Sequence, residues 1–293
     1  MERIPLWLTA VFFLLAGCAG TSSQSGPVVD YREPKFDIVE TGDVVYGASL
    51  SPDGGEVELV LDLFEPAGEP RDPAPAAFVL IHGGGFRKGS RTDQNIVAIA
   101  RALAARGWIV ASIDYRLLRD TGAAEIPQRY AGLSELPWFM AAAAEDAWKA
   151  TEWLQRNTDA DPDRTFIGGS SAGGITAMTL AYSAENLGLI DAPRFAGVVG
   201  LWGPSFQAEH VDPGDPPAFL VHGTGDRVVP WVLTEEFVEA AERAGVAYEF
   251  HSLPGVGHGY GSTGFFVSGP EPDVTYLDRL LEFGADYATD PAD

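Results

Sequence analysis

The hydrophobic positions of this chain fall into two alternating patterns. Short continuous apolar runs are typical of strands buried on both faces of a sheet, and they alternate with stretches whose apolar residues recur every three or four positions, as in helices. The buried strands are predicted at residues 77–82, 108–114, 165–168, 195–202, 218–222 and 248–253. The helices are predicted at residues 95–106, 142–156, 173–184, 231–244 and 274–287.

The first part of the chain shows a different pattern. Residues 37–39, 43–46 and 57–64 alternate apolar and polar side chains, which indicates antiparallel strands, and residues 66–75 form a proline-rich turn. An antiparallel entry followed by alternating strands and helices predicts an α/β fold, with a mostly parallel central sheet and helices on both faces. Ligands bind at the carboxyl ends of the strands in such sheets, so residues that directly follow a buried strand are candidates for a functional site.

The segment after the strand at 165–168 carries a serine between close glycines. Gly169, Ser171 and Gly173 form the pattern Gly-x-Ser-x-Gly, which predicts a nucleophile elbow, a sharp turn from strand to helix with the serine hydroxyl exposed at its apex. The flanking positions must be very small, because the strand and the helix nearly touch there. The chain has 34 glycines in 293 residues, so the pattern also arises by chance and needs support from other segments.

The segment after the first buried strand is rich in glycine. His82 is followed by three glycines and Phe86, and such a loop can bend so that two backbone N–H groups point into a cleft. Donors placed in this way stabilise the oxyanion that forms when a carbonyl is attacked, and the predicted donors are the N–H groups of Gly84, Gly85 and Ala172. A plain glycine-rich turn and a phosphate-binding loop are the other interpretations, although no P-loop lysine follows and no dinucleotide fingerprint stands at the required place.

Five histidines could supply the base that a serine nucleophile needs at neutral pH. His258 follows the last predicted strand in a glycine-rich loop and is predicted to be the base, with His251 in the preceding strand as the alternative. His82 belongs to the glycine-rich loop, where its ring is expected to brace the turn. His210 lies in a loop rich in Pro and Asp, and His222 ends a buried strand.

The candidate carboxylate is Asp226, which follows the penultimate predicted strand. A carboxylate fixes the tautomer of a catalytic imidazole and stabilises its charged form. The alternative role for Asp226 is that of a turn aspartate capping the next helix. The order Ser171, Asp226, His258 along the chain is the order of the α/β hydrolases.

Together these segments resemble the α/β-hydrolase superfamily, and within it the bacterial carboxylesterases with a His-Gly-Gly-Gly loop, including the hormone-sensitive-lipase-like branch. The resemblance covers residues 37–287, and residues 114–117 match a family segment with a structural role. Ser170 departs from the hormone-sensitive-lipase-like pattern, which usually has an acidic residue before the nucleophile. This departure favours neighbouring branches, including feruloyl-esterase-like, acetyl-xylan-esterase-like and arylformamidase-like enzymes. The resemblance implies a serine esterase that needs no metal and no cofactor.

Two connections bear on the substrate pocket. Residues 118–140 form a long connection that is either a small lid or a surface excursion, and residues 202–217 leave no room for a large cap domain. Phe86 and Trp202 are candidates for the pocket lining, with core packing as the alternative for each. An open pocket of modest size predicts small or exposed ester substrates.

The start of the chain is predicted to lie outside the fold. A short polar start and an apolar run precede Leu-Ala-Gly-Cys at residues 15–18, and this resembles a bacterial lipoprotein signal. The resemblance implies a signal peptide at residues 1–17, lipid on Cys18, a flexible tether over residues 18–35 and the hydrolase domain at residues 36–293. It implies a lipid-anchored protein of the cell envelope, at the bacterial outer membrane or facing the periplasm. The alternative is a buried or unprocessed cysteine behind an uncleaved apolar helix.

Charge and cysteine content narrow the function further. The net charge of −23 argues against nucleic acid as a partner and is expected to serve solubility. Cys18 is the only cysteine, so no disulfide framework can form within the chain. The sequence therefore predicts a membrane-anchored serine carboxylesterase that acts on a small-molecule ester, and it leaves the oligomeric state open. An amide-cleaving hydrolase, arylformamidase-like or a peptidase, and a non-catalytic binding lipoprotein are the alternatives.

Overall fold

The computed structural model describes residues 30–51, 55–68, 71–118, 137–191, 193–261 and 263–289. The predicted lipoprotein signal, Cys18 and most of the predicted tether lie outside these residues, as does most of the connection at 118–140. In the described part of the chain, no helix has both the length and the apolar character that a membrane span requires.

An eight-stranded sheet forms the centre of the fold. Its strands are β1 (Ile38–Leu50), β2 (Glu56–Pro66), β3 (Ala77–Ile81), β4 (Ile109–Ile113), β5 (Thr165–Ser170), β6 (Gly197–Leu201), β7 (Ala218–Gly223) and β8 (Tyr248–Leu253). They are arranged in the order β1-β2-β4-β3-β5-β6-β7-β8. β2 is antiparallel to both β1 and β4, whereas all other neighbours are parallel. The prediction of a mostly parallel sheet after an antiparallel entry is confirmed.

Helices cover both faces of this sheet. In the described residues they are α1 (Gln94–Ala104), α2 (Trp138–Asn157), α3 (Ala172–Tyr182), α4 (Val232–Ala244), α5 (Gly264–Val267) and α6 (Tyr276–Ala288). Side chains of α1 and α6 share one hydrophobic core, and side chains of α2, α3 and α4 share the other. Successive residues of β3 alternate between the two cores, Phe78 and Leu80 in the first, Val79 and Ile81 in the second. A strand buried on both faces is therefore apolar at every position.

The first strand differs from its prediction. Residues 37–39 and 43–46 are predicted as separate strands, but residues 38–39 and 43–46 belong to one strand, β1. The register of β1 against β2 shifts between Thr41 and Val44 and again between Val45 and Gly47. Such irregularities let one strand continue through residues that break the alternating pattern.

The second helix begins earlier than predicted. α2 starts at Trp138, directly after Pro137, whereas the apolar spacing predicts a start at residue 142. The sequence pattern instead places residues 138–140 in the long connection at 118–140. In the structure Met140 is buried in the core shared by α2 and α3, and this burial extends the helix toward its N-terminus.

Candidate active site

Ser171 lies at the turn between β5 and α3, at the carboxyl edge of the sheet. Its φ of 53° and ψ of −119° form a conformation that residues with a side chain rarely adopt. The backbone N–H of Ser171 donates to the carbonyl of Leu201 at 2.8 Å, which helps to hold this turn. Strain of this kind persists only where the surrounding structure enforces it, and it is common at functional sites.

The two glycines that flank Ser171 are required by close backbone contact. A Cβ atom added to Gly169 or to Gly173 would overlap the carbonyl oxygen of Ile81, the last residue of β3. The very small residues predicted for a nucleophile elbow are therefore needed to pack β5 and α3 against β3.

Gly173→Ala is expected to lower the free energy of unfolding by about 3 kcal/mol, because the new methyl group meets backbone atoms that cannot rotate away. Urea unfolding measures this loss. Gly47→Ala in β1 is the matched control, since the nearest atom to an added Cβ there is the Lys149 Cδ, 4.0 Å away. A Gly173→Ala protein as stable as the Gly47→Ala protein would contradict the steric account.

His258 approaches Ser171 from the loop that follows β8. Its Nε2 atom lies 2.8 Å from Ser171 Oγ, the distance at which a general base can take a hydroxyl proton. The loop forms a short 3-10 helix, His258–Gly261, in which Gly259 and Tyr260 have positive φ. The structure thus brings together the serine and the histidine that the sequence predicts to react.

The alternative base is engaged elsewhere. His251 lies within β8, and its Nε2 is 2.6 Å from Glu249 Oε1. Its ring contacts that of Tyr276 in α6, with centroids 5.1 Å apart. His251 therefore belongs to the packing between the edge of the sheet and α6. His210 ends a separate 3-10 helix, Ala208–His210.

Asp226 lies in the turn after β7 with its side chain fully buried. One oxygen, Oδ2, is 2.6 Å from His258 Nδ1, and the other accepts the backbone N–H groups of Val228 and Val229 at 2.8 and 3.0 Å. Burial opposes ionisation, but the hydrogen bonds from His258 and from these two N–H groups outweigh it and lower the pKa of Asp226 below its ordinary value. The carboxylate is therefore charged at neutral pH and serves both the turn and the histidine.

The partners of His258 determine which of its nitrogens carries the proton. A carboxylate only accepts hydrogen bonds, so Nδ1 of His258 is the protonated nitrogen. Nε2 is then free to accept the hydroxyl hydrogen of Ser171. When Nε2 takes that proton, the charge that develops on the ring faces Asp226.

The glycine-rich loop lies against the elbow. A Cβ added to Gly83 would lie 2.9 Å from the carbonyl oxygen of Ser170, and Gly84 and Gly85 have positive φ of 114° and 62°. Within the described residues, the backbone N–H groups of Gly84, Gly85 and Ala172 have no hydrogen-bond acceptor. Unpaired donors beside a nucleophile are what an oxyanion site requires.

His82 braces the start of this loop. Its Nδ1 lies 2.7 Å from the carbonyl oxygen of Gly83, and its buried ring stacks on Tyr115 with centroids 4.6 Å apart. The hydroxyl of Tyr115 donates to the carbonyl of His82 at 3.1 Å. Residues 114–117, which resemble a structural segment of the family, thus contact the start of the glycine-rich loop through Tyr115 and help to hold it.

The sequence does not predict a charged cluster around Arg91, which follows the glycine-rich loop in the chain. The backbone N–H of Arg91 donates to Asp114 at 2.7 Å, and its guanidinium donates to Asp114 and Asp62 at 2.6 and 2.8 Å. Asp43 also pairs with this guanidinium. The only local signal is Asp114 at the carboxyl end of β4, because Asp62 and Arg91 come from distant parts of the chain.

Two buried histidines give the fold a dependence on pH. Burial lowers the pKa of His82 and of His222 below the ordinary value of 6.5. The unfolded chain takes up protons on these rings as the pH falls through that value, while the folded protein keeps them neutral to lower pH. Stability is therefore fully present above the ordinary pKa and is lost as the pH falls toward the folded value.

We expect the free energy of unfolding to fall between about pH 7 and about pH 5. Urea unfolding at the two pH values measures the change. His222→Gln removes one of the two titrating rings and should weaken the dependence on pH. Equal stability of the parent protein at both values would contradict this account of the buried histidines.

The cleft at Ser171 has a volume of about 830 Å³. Besides the glycine-rich loop, the elbow and His258, side chains of two kinds line it. The polar ones are Lys88, Asp93, Gln94, Asn95, Ser170 and Thr263, and the apolar ones are Ile96, Trp202 and Val228. Trp202, a candidate for the pocket lining, borders this cleft, and its ring also packs against that of Phe265 with centroids 6.3 Å apart. Across the described residues, no three His, Cys, Asp or Glu side chains are arranged to hold a metal ion.

Phe86, the other candidate for the pocket lining, lies in the core. It is 5% exposed, and its ring centroid is 5.1 Å from that of Phe139 in α2 and 6.2 Å from that of Tyr115. The aromatic partner from α2 is distant in the sequence, so the position of Phe86 next to the glycines does not reveal this packing.

Two protein families match consecutive parts of the chain. The BD-FAE family model matches residues 61–205, which include the glycine-rich loop and Ser171. The prolyl oligopeptidase family model matches residues 202–283, which include Asp226 and His258. The two matches therefore divide the candidate site between them.

Esterases are among the individual proteins that are similar to this chain. Esterase LipC of Mycobacterium tuberculosis is 28% identical over 256 residues, which cover 71% of this chain and 58% of that protein. Esterase LipI of the same organism is 37% identical over 121 residues, or 40% of this chain and 32% of LipI. The chain thus spans little more than half the length of the first of these relatives. The apo form of Thermogutta terrifontis esterase 2 superimposes with a TM-score of 0.61 at 23% identity, covering 88% of this chain and 97% of that one. The sheet order, the elbow and this superposition show that the chain has the α/β-hydrolase fold.

Proposed function

We propose that the protein is a serine carboxylesterase that hydrolyses small or exposed carboxylic esters through an acyl-enzyme intermediate. The observation that carries this proposal is the continuous hydrogen-bonded chain from Ser171 through His258 to Asp226, beside the backbone N–H groups of the glycine-rich loop. The esterases among the similar proteins support the same activity.

In the first half of the reaction Ser171 Oγ attacks the ester carbonyl carbon while His258 Nε2 takes the hydroxyl proton. The carbonyl oxygen becomes an oxyanion, which the N–H groups of Gly84, Gly85 and Ala172 stabilise. The bond to the leaving alcohol then breaks, and the alcohol departs with the proton from His258. The acyl group remains bonded to Ser171.

In the second half a water molecule replaces the alcohol. His258 takes a proton from the water, and the resulting hydroxide attacks the acyl carbon. The oxyanion forms again in the same site and collapses to release the carboxylic acid, while the proton returns from His258 to Ser171. Asp226 stays ionised throughout and faces the positive charge of the ring.

The cleft suits substrates of limited size. Its volume of about 830 Å³ falls in the range of sites for small molecules. In a series of p-nitrophenyl esters we expect the highest kcat/KM for short acyl chains. An activity that rises beyond about ten acyl carbons would contradict this substrate class.

Covalent labelling tests the proposal directly. A fluorophosphonate probe reacts with a serine only where a base and an oxyanion site activate it, so we expect one label per chain, on the peptide that contains Ser171. Mass spectrometry of the digested protein locates the label. An unlabelled, folded protein would support the alternative of a non-catalytic binding protein.

A second candidate function is cleavage of amide bonds. The match of residues 202–283 to the prolyl oligopeptidase family favours it, and the same serine, histidine and carboxylate would carry out the chemistry. Parallel assays with nitrophenyl acetate, an aryl formamide and a short peptide anilide separate the two functions. A kcat/KM that is higher for the amide substrates than for the ester would favour the amide-cleaving assignment.

The location of the protein is a separate proposal. Cys18 follows a sequence that resembles a lipoprotein signal, and attached acyl chains bind a membrane in proportion to the methylenes that they bury. We expect the full chain in the membrane fraction of the cell envelope and Cys18→Ser in the soluble fraction. The same distribution for both proteins would contradict a lipid anchor at this residue.

A further inference from the structure

A second histidine contacts the candidate catalytic carboxylate. His222, the penultimate residue of β7, is 1% exposed, and its Nε2 lies 3.1 Å from Asp226 Oδ2. This is the same oxygen that lies 2.6 Å from His258 Nδ1. One oxygen of Asp226 is therefore within hydrogen-bond distance of two imidazole rings.

The surroundings of His222 determine its protonation. Two acceptors face its Nε2, Asp226 Oδ2 and the carbonyl of Val229 at 3.2 Å, so Nε2 carries the hydrogen. Nδ1 lies 2.6 Å from Thr234 Oγ1 in α4 and accepts the hydroxyl hydrogen. Burial lowers the pKa of His222, which keeps the ring neutral. The ionisable groups that face this ring are Asp226 and, behind it, His258.

The turn that carries Asp226 has backbone hydrogen bonds of its own. The N–H of Asp226 donates to Gly223 at 3.1 Å, and the N–H groups of Thr224 and Gly225 donate to Leu253 and Val256 at 2.9 Å each. These bonds hold the main chain without the imidazole of His222. The Nε2 hydrogen of His222 is therefore not needed to hold these residues, and it is shared between the carboxylate of Asp226 and the carbonyl of Val229.

We infer that His222 is a positioning residue for the reaction, given the serine esterase activity proposed above. Its N–H fixes the orientation of the Asp226 side chain and takes up part of the charge on Oδ2. Together with the N–H groups of Val228 and Val229, it leaves the carboxylate one orientation, in which Oδ2 faces His258. The hydroxyl of Thr234 fixes the ring of His222 in turn.

Two variants of His222 test this role. His222→Leu removes the N–H, and His222→Gln keeps an N–H near the place of Nε2. With p-nitrophenyl acetate we expect His222→Leu to lower kcat roughly 10- to 100-fold, the range for loss of a hydrogen bond to a charged group, with KM nearly unchanged. His222→Gln should recover most of the loss. All rates are expressed per site labelled by a fluorophosphonate, so that unfolded protein does not count.

A second pair of variants covers the case in which His222→Leu does not fold. Thr234→Val removes the hydroxyl that holds Nδ1 while keeping the shape of the side chain, and Thr234→Ser keeps the hydroxyl. We expect kcat to fall about three- to ten-fold in Thr234→Val and to stay near the parent value in Thr234→Ser.

A histidine of the neighbouring strand provides the control for stability alone. His251 is partly buried in β8 and pairs with Glu249, so His251→Leu should lower thermal stability and leave kcat unchanged.

The inference is overturned if the His222→Leu protein keeps kcat within two-fold of the parent. It is also overturned if His222→Gln loses as much as His222→Leu, or if the two Thr234 variants do not differ. A parent protein labelled on Ser171 in these experiments retains the proposed function even when the inference about His222 fails.

Discussion

Replacing Ser171 by alanine is expected to lower kcat for p-nitrophenyl acetate about 10⁶-fold, the effect seen when a serine hydrolase loses its nucleophile. The hydroxyl is 2.8 Å from His258 Nε2, and alanine leaves no atom there that could form the acyl-enzyme. The fold should remain intact, because the backbone N–H of Ser171 still donates to Leu201. Steady-state kinetics and thermal unfolding measure the two quantities.

Ser252→Ala serves as the control for this experiment. Ser252 is an exposed serine of β8, and we expect its replacement to change neither activity nor stability. Turnover above about a hundredth of the parent rate in Ser171→Ala would refute the assignment of the nucleophile, since the remaining N–H donors alone do not sustain it.

Asp226→Asn is expected to lower kcat about 10⁴-fold. Asparagine has the same shape and its oxygen can still accept the N–H groups of Val228 and Val229. Its NH₂ group then faces His258 Nδ1, which must lose its hydrogen and accept. The hydrogen moves to Nε2, which now donates toward Ser171 and can no longer take a proton from it.

We therefore expect Asp226→Asn to lose most of its activity while it keeps its fold. The exposed Asp212 provides the control, since Asp212→Asn removes a charge of the same kind at a residue that does not line the cleft at Ser171. Circular dichroism should be unchanged in both variants. An Asp226→Asn protein that keeps a tenth or more of the parent kcat would show that the orientation of His258 does not depend on this carboxylate.

The sequence predicts those parts of the site that can be recognised from residues close to one another in the chain. The elbow is recognisable because Gly169 and Gly173 must both be small, and the reason is their contact with the carbonyl of Ile81. The fold class follows from strands such as β3, in which every residue is buried. His258 stands out among five histidines because it alone follows the last strand within a glycine-rich loop.

The parts that the sequence does not predict depend on distant contacts. Arg91 and Asp62 are 29 positions apart, and nothing near either residue indicates that they meet behind the glycine-rich loop. The ring of Phe86 contacts that of Phe139 in α2, which is 53 positions further along the chain. The sequence therefore does not distinguish a buried Phe86 from one that lines the cleft. His222 reads as the polar end of a buried strand, and only its distance to Asp226 indicates more.

The position of β8 at the end of the sheet has a consequence for heat inactivation. The serine directly follows β5, which has a neighbouring strand on each side, while the imidazole is carried by the segment that follows β8, the outermost strand. Outer segments open at lower cost than central ones. On warming, the base should leave the nucleophile while the interior of the sheet is still folded. Loss of turnover then precedes melting, and cooling restores it.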